Sequence, residues 1–109
     1  MKYPNLDKLI HEQSRLKILI YLSKKSPYKT TFTQIKKDLN MTSGNLSIQL
    51  KKLEQENWII QDKKIEKNKV KTYIKITQDG KEALNQYLNN LEILLSNLKG
   101  ESNESDKNN

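Results

Sequence analysis

The sequence predicts a mainly α fold with a small β-hairpin, and three stretches of the chain predict it. Residues 31–58 have the apolar spacing of two helices joined by a tight turn. Residues 58–77 carry branched and aromatic side chains on both sides of a polar turn, which is typical of two strands. Residues 78–99 repeat leucine at alternating steps of four and three, as a long helix with one apolar seam does. The 109 residues are enough for one domain, predicted over 1–99.

The first strong helix is predicted over residues 12–25, after a short helical start near Pro4. Its apolar side chains surround most of the circumference, which is typical of a helix at the centre of a core. Ser26-Pro27 ends it, because the residue before a proline disfavours helical backbone. A polar linker over residues 28–31 follows. The apolar residues of this helix are Leu16, Ile18, Leu19, Ile20 and Leu22.

The stretch over residues 31–58 is predicted to present a surface to a partner. In its first helix, Phe32, Ile35 and Leu39 recur on one face. Thr42 is a good N-cap for the second helix. At about 100° per residue, the face opposite the leucines of this second helix is polar and basic, and such a face suits a DNA groove. The leucines are Leu46, Leu50 and Leu53, and the outward residues include Gly44, Asn45, Ile48, Lys51 and Lys52.

The predicted hairpin has a basic tip. Ile74 and Ile76 alternate with polar residues, as expected for a strand with one covered face. Asn68 tolerates left-handed backbone, so it can form the turn without glycine. The lysines are a candidate DNA contact, although a run of charges is more often a solvated face. They are Lys63, Lys64, Lys67, Lys69 and Lys71.

The last helix is predicted from Gln78 to about Lys99, with Thr77 as its N-cap. Its leucine seam covers only about two heptads, so two interpretations stay open: a dimer helix, or a helix packed on its own domain. We favour the dimer, since the seam is longer than a small domain can cover. Residues 100–109 are polar and are expected to form a disordered tail. The seam consists of Leu84, Leu88, Leu91, Leu95 and Leu98.

The charge balance favours a polyanionic partner. The chain has 20 basic and 13 acidic residues, a net charge of +7, and removal of the acidic tail leaves +9. Nucleic acid and an anionic membrane surface both fit this balance. No apolar run approaches the length of a membrane span or a secretory leader, so a cytoplasmic protein is expected. The hydrophobic fraction of 34% is low for a small monomer, which favours burial shared between subunits.

The sequence offers little for catalysis or metal binding. It has no cysteine, and His11 is its only histidine. A thiolate metal site or a nucleophile relay therefore has no partners to draw on, and no glycine-rich phosphate loop is present. We expect a binding protein rather than an enzyme, with no cofactor and no metal.

Four stretches, taken in order, carry a resemblance to a known family. The sequence resembles the winged helix-turn-helix transcriptional regulators of bacteria and archaea, in the broad MarR/ArsR-like group, and most of all their small stand-alone branch. The resemblance implies a winged helix-turn-helix with a long C-terminal dimerisation helix over residues 78–99. The stretches are Arg15-Leu16-Lys17-Ile18-Leu19, Phe32-Thr33-Gln34-Ile35, Met41 to Glu54 and Lys71 to Gly80.

The resemblance also implies which residues meet DNA. In that family the second helix of the motif enters the major groove, and the hairpin, called the wing, lies against the backbone or the adjacent minor groove. Members commonly dimerise through terminal helices, which agrees with the leucine seam. Their wings often carry an arginine at the tip, whereas this chain has lysines there. The implied contacts are Ser43, Gly44, Asn45, Ser47, Ile48, Lys51 and Lys52 on the helix, with Lys67, Lys69 and Lys71 on the wing.

The predicted function is that of a sequence-specific regulator, expected to be a repressor, which binds double-stranded DNA as a homodimer on a two-fold symmetric site. Asn45 can pair with adenine and Ile48 can meet a thymine methyl, whereas no arginine is present on this face to read guanine. These residues favour A·T-rich half-sites, although Lys51 or Lys52 could still read guanine. Gln49 is expected to pack or cap rather than to read bases. The alternative is a winged-helix module that binds a protein partner and not DNA, and the sequence leaves open whether an effector ligand exists.

Overall fold

The computed structural model describes residues 4–107, which form five helices and a three-stranded antiparallel sheet. The elements are α1 (Lys8–His11), α2 (Gln13–Lys25), β1 (Thr30–Thr31), α3 (Phe32–Asp38), α4 (Ser43–Gln55), β2 (Ile59–Glu66), β3 (Lys69–Ile76) and α5 (Gln78–Lys107). The strands lie in the order β1-β3-β2. This arrangement confirms the predicted mainly α fold, and the β2–β3 hairpin over residues 59–76 is the wing.

The core lies where α2, α4 and the first half of α5 meet the sheet. α2 contacts α4, α5 and β3, so the central position predicted for this helix is confirmed. Burial of each large aliphatic side chain stabilises the fold by roughly 1.5–3 kcal/mol. The buried apolar residues are Ile10, Ile18, Leu19, Leu22, Ile35, Leu46, Leu50, Leu53, Ile59, Ile74, Ile76, Leu84 and Tyr87.

A hydrogen-bonded cluster at the surface links α3 to α2. Tyr21 Oη on α2 donates to Asp38 Oδ2 on α3 at 2.5 Å, and Gln34 Nε2 donates to Asp38 Oδ1 at 2.8 Å. The bond from Tyr21 is the main reason that the pKa of Asp38 lies below its usual value. The contribution of this link to stability is therefore complete above the ordinary carboxyl pKa and is lost as the pH falls through the lowered value.

The short strand β1 is a feature that the sequence does not predict. Residues 28–31 read as a polar linker, but Thr30 and Thr31 pair with Ile74 and Tyr73 of β3. Two residues are too few to show the alternation that identifies a strand. Because β1 pairs with β3, the chain that leaves α2 is fixed to the base of the wing immediately before α3 begins.

Residues with left-handed backbone form the turns on either side of α4 and at the wing tip. Asn40 has a φ of 52° between α3 and α4, and Asn57 has a φ of 61° between α4 and β2. Lys67 and Asn68, with φ values of 50° and 62°, form the two-residue turn of the wing. Two consecutive positive φ values are typical of a type I′ turn, whose twist matches that of the paired strands. The predicted role of Asn68 is confirmed.

The start of α5 is packed closely against the base of the wing. Thr77 caps the helix as predicted, because its Oγ1 accepts from Gly80 N at 2.9 Å. A Cβ added to Gly80 would lie 2.1 Å from the carbonyl oxygen of Trp58 and 2.8 Å from Ile76 Cγ1. Only a residue without a side chain lets α5 approach this backbone so closely.

The far end of α5 differs from the sequence prediction. The helix spans Gln78–Lys107, which is 30 residues, whereas the leucine seam predicts an end near Lys99 and a disordered tail over 100–109. The helical backbone outlasts the apolar pattern because extending an existing helix costs far less than starting one. Residues 108 and 109 of the predicted tail lie outside the described residues. The long helix gives the molecule dimensions of 69 × 24 × 23 Å.

The predicted leucine seam of α5 is divided between two surroundings. Leu84 is 2% exposed and belongs to the core of its own domain, and Leu91 packs partly against that core. Leu88, Leu95 and Leu98 are 38%, 47% and 64% exposed. The assignment of Leu84 to a dimer seam is therefore wrong, because a heptad repeat shows which residues share a face and not what covers that face.

Replacement of Gly80 by alanine is expected to destabilise the fold by roughly 1–3 kcal/mol, the usual cost of overpacking, because the new methyl group meets the Trp58 backbone. Gly44→Ala is the matched control, since nothing lies within 4 Å of its Cβ position. There alanine should stabilise α4 by roughly 0.5–1 kcal/mol. Urea unfolding followed by circular dichroism measures both changes. A Gly80→Ala variant as stable as the Gly44→Ala variant would contradict the close packing of α5.

Candidate nucleic-acid interface

The outward face of α4 carries all the helix residues that the sequence assigns to DNA. Thr42 Oγ1 accepts from Asn45 N at 3.1 Å, which confirms Thr42 as the N-cap. Ile48 is 56% exposed near the middle of this face, although it is a large aliphatic residue. The leucines on the opposite side are fully buried, so the helix is held in one rotational position. The exposed residues are Ser43, Gly44, Asn45, Ser47, Ile48, Lys51 and Lys52.

A groove of about 600 Å³ separates α4 from the wing. Glu54 on its α4 side is engaged, since Glu54 Oε2 accepts from Gln61 N at 3.3 Å. Lys51 and Lys63 supply positive charge from opposite walls, so the groove can accommodate a negatively charged backbone. Its lining consists of Phe32, Ser47, Lys51, Glu54, Gln61, Lys63 and Thr72.

The two faces of the wing carry different lysines. Lys63 pairs with Thr72 across the strands, and both residues line the groove. Because side chains alternate along a strand, Lys69 and Lys71 lie on the face opposite Thr72, while Lys67 lies in the turn. None of the three wing lysines predicted to meet DNA lines this groove. Sequence analysis named Lys63 among the basic residues of the hairpin but did not include it among the residues implied to meet DNA. Strand alternation separates Lys63 from Lys69 and Lys71, but only the tertiary packing shows which face of the wing borders α4.

Acidic residues partly neutralise the outer face of the wing. Lys71 Nζ lies 3.8 Å from Glu66 Oε2, and Lys64 Nζ lies 3.9 Å from Asp62 Oδ2. In the part of the chain that the structure describes, Lys63 has no such ion pair. The charges of Lys64 and Lys71 are therefore partly neutralised on the outer face, whereas Lys63 directs its positive charge at the groove.

Tyr73 contacts several charged residues on this outer face. The Nζ atoms of Lys29 and Lys64 each lie 5.7 Å from the centroid of the Tyr73 ring. Tyr73 Oη donates to Glu66 Oε1 at 2.9 Å, and this bond is the main reason that the pKa of Tyr73 lies above its usual value. The phenol stays neutral at physiological pH, and these contacts stabilise the wing as one unit.

A chain of hydrogen bonds lies on the other flank of α4, away from the groove. Arg15 Nη1 on α2 donates to Gln49 Oε1 at 2.7 Å, and Gln49 Nε2 donates to Asn45 Oδ1 at 3.0 Å. Gln49 is 8% exposed, as predicted for a packing residue. Sequence analysis did not assign Arg15 to the site, because it lies on a different helix and far from Asn45 in the chain.

The described residues contain no group of three or more His, Cys, Asp or Glu side chains that could share a metal ion. Within the same part of the chain, no helix combines the length and the apolar character needed to cross a bilayer. The exposed face of α4 and the groove beside it, which is lined by Lys51 and Lys63, suit an anionic duplex.

Comparison with known proteins supports this interpretation of the surface. The sequence model of a family described as a winged helix DNA-binding domain matches residues 14–95. The chain belongs to this family. Its winged helix domain includes α4, the wing and the part of α5 that packs on the core. The predicted resemblance to winged helix-turn-helix regulators is confirmed, and a MarR-like regulator from Thermotoga maritima, 19% identical with a TM-score of 0.60, shares the fold.

Relatives of this winged helix protein come from archaea and bacteria. A transcriptional regulator homologue from Pyrococcus horikoshii is 30% identical with a TM-score of 0.75, and the match covers 83% of this chain and 87% of that one. An uncharacterized protein of Methanocaldococcus jannaschii is 40% identical over 67 residues, 62% of this chain and 73% of its own length. A mutant of S. aureus MepR bound to an oligodeoxyribonucleotide shares the fold, with a TM-score of 0.68, 21% identity, and coverage of 93% and 78%.

Replacement of Lys63 by glutamine is expected to weaken binding of duplex DNA by roughly fivefold at about 0.1 M salt and to lower the slope of log K against log salt by about 0.9, the effect of one lost phosphate contact. Lys75→Gln is the control, because Lys75 is exposed on the other face of the same sheet. Fluorescence anisotropy with a labelled duplex measures both. Equal losses in the two variants would show that only net charge matters.

Proposed function

We propose that this protein is a transcriptional regulator that binds double-stranded DNA sequence-specifically as a homodimer. The observation that carries the proposal is that the exposed face of α4 and Lys63 of the wing border one groove, so a single duplex can contact both. The family to which the chain belongs supports DNA as the partner. The Pyrococcus horikoshii regulator homologue supports the regulatory class.

Phosphate contacts supply the part of the affinity that does not depend on sequence. Lys51 and Lys63 lie on opposite walls of the groove, and Lys52 lies on the exposed face of α4. Lysines that neutralise phosphates release condensed counterions, so their contribution falls as the salt concentration rises. Lys67 at the wing tip can reach the DNA backbone beside the stretch that α4 contacts. Lys69 and Lys71 contribute mainly through the overall field, since they lie on the far face of the wing.

Base contacts from the middle of α4 supply the specificity. Ile48 is the outward apolar group, and an apolar side chain in the major groove meets the methyl group of thymine. Asn45 offers hydrogen bonds near the start of the helix, and Ser43 and Ser47 can meet a base or a phosphate. No arginine lies on this face to read guanine, so half-sites rich in A·T are expected.

A second copy of the chain accounts for the exposed leucines of α5. Leu88, Leu95 and Leu98 extend the apolar face of α5 beyond the part that packs on the core. Pairing of this face between two copies removes apolar surface from water and places two α4 helices about a dyad. Their half-sites then lie about 34–36 Å apart, one turn of DNA. Occupation of such a site in a promoter represses transcription because it excludes the polymerase. The cytoplasm is the expected compartment of the protein.

The proposal is tested by selection of binding sites from random duplex DNA, followed by titration of the best site at several salt concentrations. We expect an A·T-rich inverted repeat, with affinity that falls steeply as salt rises. Asn45→Ala should remove base preference at one position of each half-site and cost roughly 1–3 kcal/mol of binding free energy. Failure of the wild-type protein to bind any duplex at low salt would contradict the proposal and leave a protein partner as the alternative.

Replacement of Leu95 by glutamate is expected to dissociate the dimer, because it places a charge in the shared apolar face. Ile93→Glu is the matched control: Ile93 and Leu95 are 45% and 47% exposed, but they lie on different sides of α5. Sedimentation velocity should show a monomer for the first variant and a dimer for the second. A wild-type protein that sediments as a monomer, or an Ile93→Glu variant that dissociates equally, would overturn this dimer surface.

A further inference from the structure

Arg15, the only arginine of the chain, lies behind α4 rather than on a surface that meets DNA. It is 8% exposed, which is unusual for a side chain that always carries a charge. Its Nε donates to the backbone carbonyl of Leu9, and its Nη1 donates to Gln49 Oε1 at 2.7 Å. Glu12 Oε2 lies 4.0 Å from the same Nη1. Arg15 is therefore fixed at several points and directs one donor at Gln49.

The donors of Arg15 determine the orientation of the next two side chains. A guanidinium has donors and no acceptor, so the Gln49 atom that faces it must be the carbonyl oxygen. The amide nitrogen of Gln49 then faces Asn45, and the Asn45 atom 3.0 Å away must be Oδ1. A flipped Asn45 amide would place two NH₂ groups against each other. The orientation of the Asn45 amide is thus set from α2, through Gln49.

The remaining polar group of Asn45 is its Nδ2 amide. Asn45 is exposed near the start of α4, where its backbone N–H is already bonded to Thr42 Oγ1. Within the described residues, Asn45 Nδ2 makes no hydrogen bond to protein, so its two donors are available to a ligand. The structure therefore presents a donor of fixed position on the face of α4, whereas a mobile asparagine could present either a donor or an acceptor.

We propose that Arg15 is a positioning residue for base readout, which acts through Gln49 to hold Asn45 Nδ2 toward the DNA and so makes this position of the site require a base with a major-groove acceptor. The inference rests on the proposed function and deepens it. Adenine N7, guanine N7 and O6, and thymine O4 are such acceptors, whereas cytosine presents only its N4 donor. Asn45 should accordingly reject cytosine at the base that it contacts.

Gln49→Glu tests the direction of this control. A glutamate at this position accepts from Arg15 with one oxygen, and with the other it accepts from Asn45 Nδ2, so the Asn45 amide turns over and presents Oδ1 to the DNA. The base preference should then reverse in favour of the donors cytosine N4 and adenine N6. The base pair that Asn45 contacts is identified first, as the one whose identity no longer affects the affinity of Asn45→Ala. The relative affinity is then measured for four duplexes that differ only at this base pair.

Gln55→Glu is the matched control, because it adds the same charge to an exposed position of α4 outside the hydrogen-bonded chain. It should weaken all four duplexes alike. The wild-type protein should disfavour cytosine by roughly tenfold, a typical effect of one base contact, and Gln49→Glu should prefer cytosine to thymine. A Gln49→Glu variant with the wild-type order of bases would overturn the inference while leaving the proposed function intact.

A second variant covers the case in which Gln49→Glu does not fold. Gln49→Met has a similar shape but makes neither hydrogen bond, so Asn45 becomes free to rotate. Discrimination against cytosine should then fall to about the level of Asn45→Ala without a reversal. Retention of the full discrimination in Gln49→Met would show that Asn45 needs no positioning, and the inference would be wrong.

Side-chain amide hydrogen exchange, measured by NMR on the full chain without DNA, separates this inference from the proposed function. In the wild-type protein the Gln49 amide protons should exchange slowly and those of Asn45 rapidly. In Gln49→Glu the Asn45 amide protons should become protected. Rapid exchange at Gln49 in the wild-type protein would overturn the inference whether or not the protein binds DNA. The absence of DNA binding, with Gln49 protected, would instead overturn the proposed function, and the role in base readout with it.

Discussion

The burial of one leucine stripe on α4 is the constraint on which the rest of the structure depends. Leu46, Leu50 and Leu53 are completely buried against α2 and the sheet. Burial of this stripe fixes the rotation of α4 about its own axis, and that rotation determines which residues of α4 face outward. The Thr42 cap and the left-handed Asn40 fix where the helix begins, and Asn57 fixes the direction in which the chain leaves it. The wing and α5 are then positioned relative to that exposed face.

Sequence patterns predicted the helices and the wing well, because those elements depend on local periodicity. The stripes of α2 and α4, the caps at Thr42 and Thr77, and the turn at Asn68 all follow from spacing or from residue type. The strand β1 could not be predicted in this way, since Thr30 is a strand residue only because β3 lies beside it. The division of the α5 seam was equally out of reach, because Leu84 and Leu98 occupy equivalent heptad positions and differ only in what surrounds them.

The candidate site shows the same division between local and tertiary information. The outward residues of α4 follow from the helical period alone. Lys63 and Arg15 do not, since the importance of each depends on a residue far along the chain: Ser47 across the groove for Lys63, and Gln49 for Arg15. A net charge of +7 indicates an anionic partner but not which lysines face it. The ion pairs of the outer wing face show that the lysines of one hairpin differ in how much of their charge is open to an anionic partner.

Gly80 packs closely against Trp58, so the direction of α5 is set at its first turn. The helix is 30 residues long, about 45 Å at the usual rise per residue, and only its first half packs on the domain. A tilt of about 5° at the root would displace the far end by roughly 4 Å, by the geometry of a rod of that length. In the proposed homodimer, such a tilt beside Trp58 would change the distance between the two α4 helices far more than it changes the packing at Trp58.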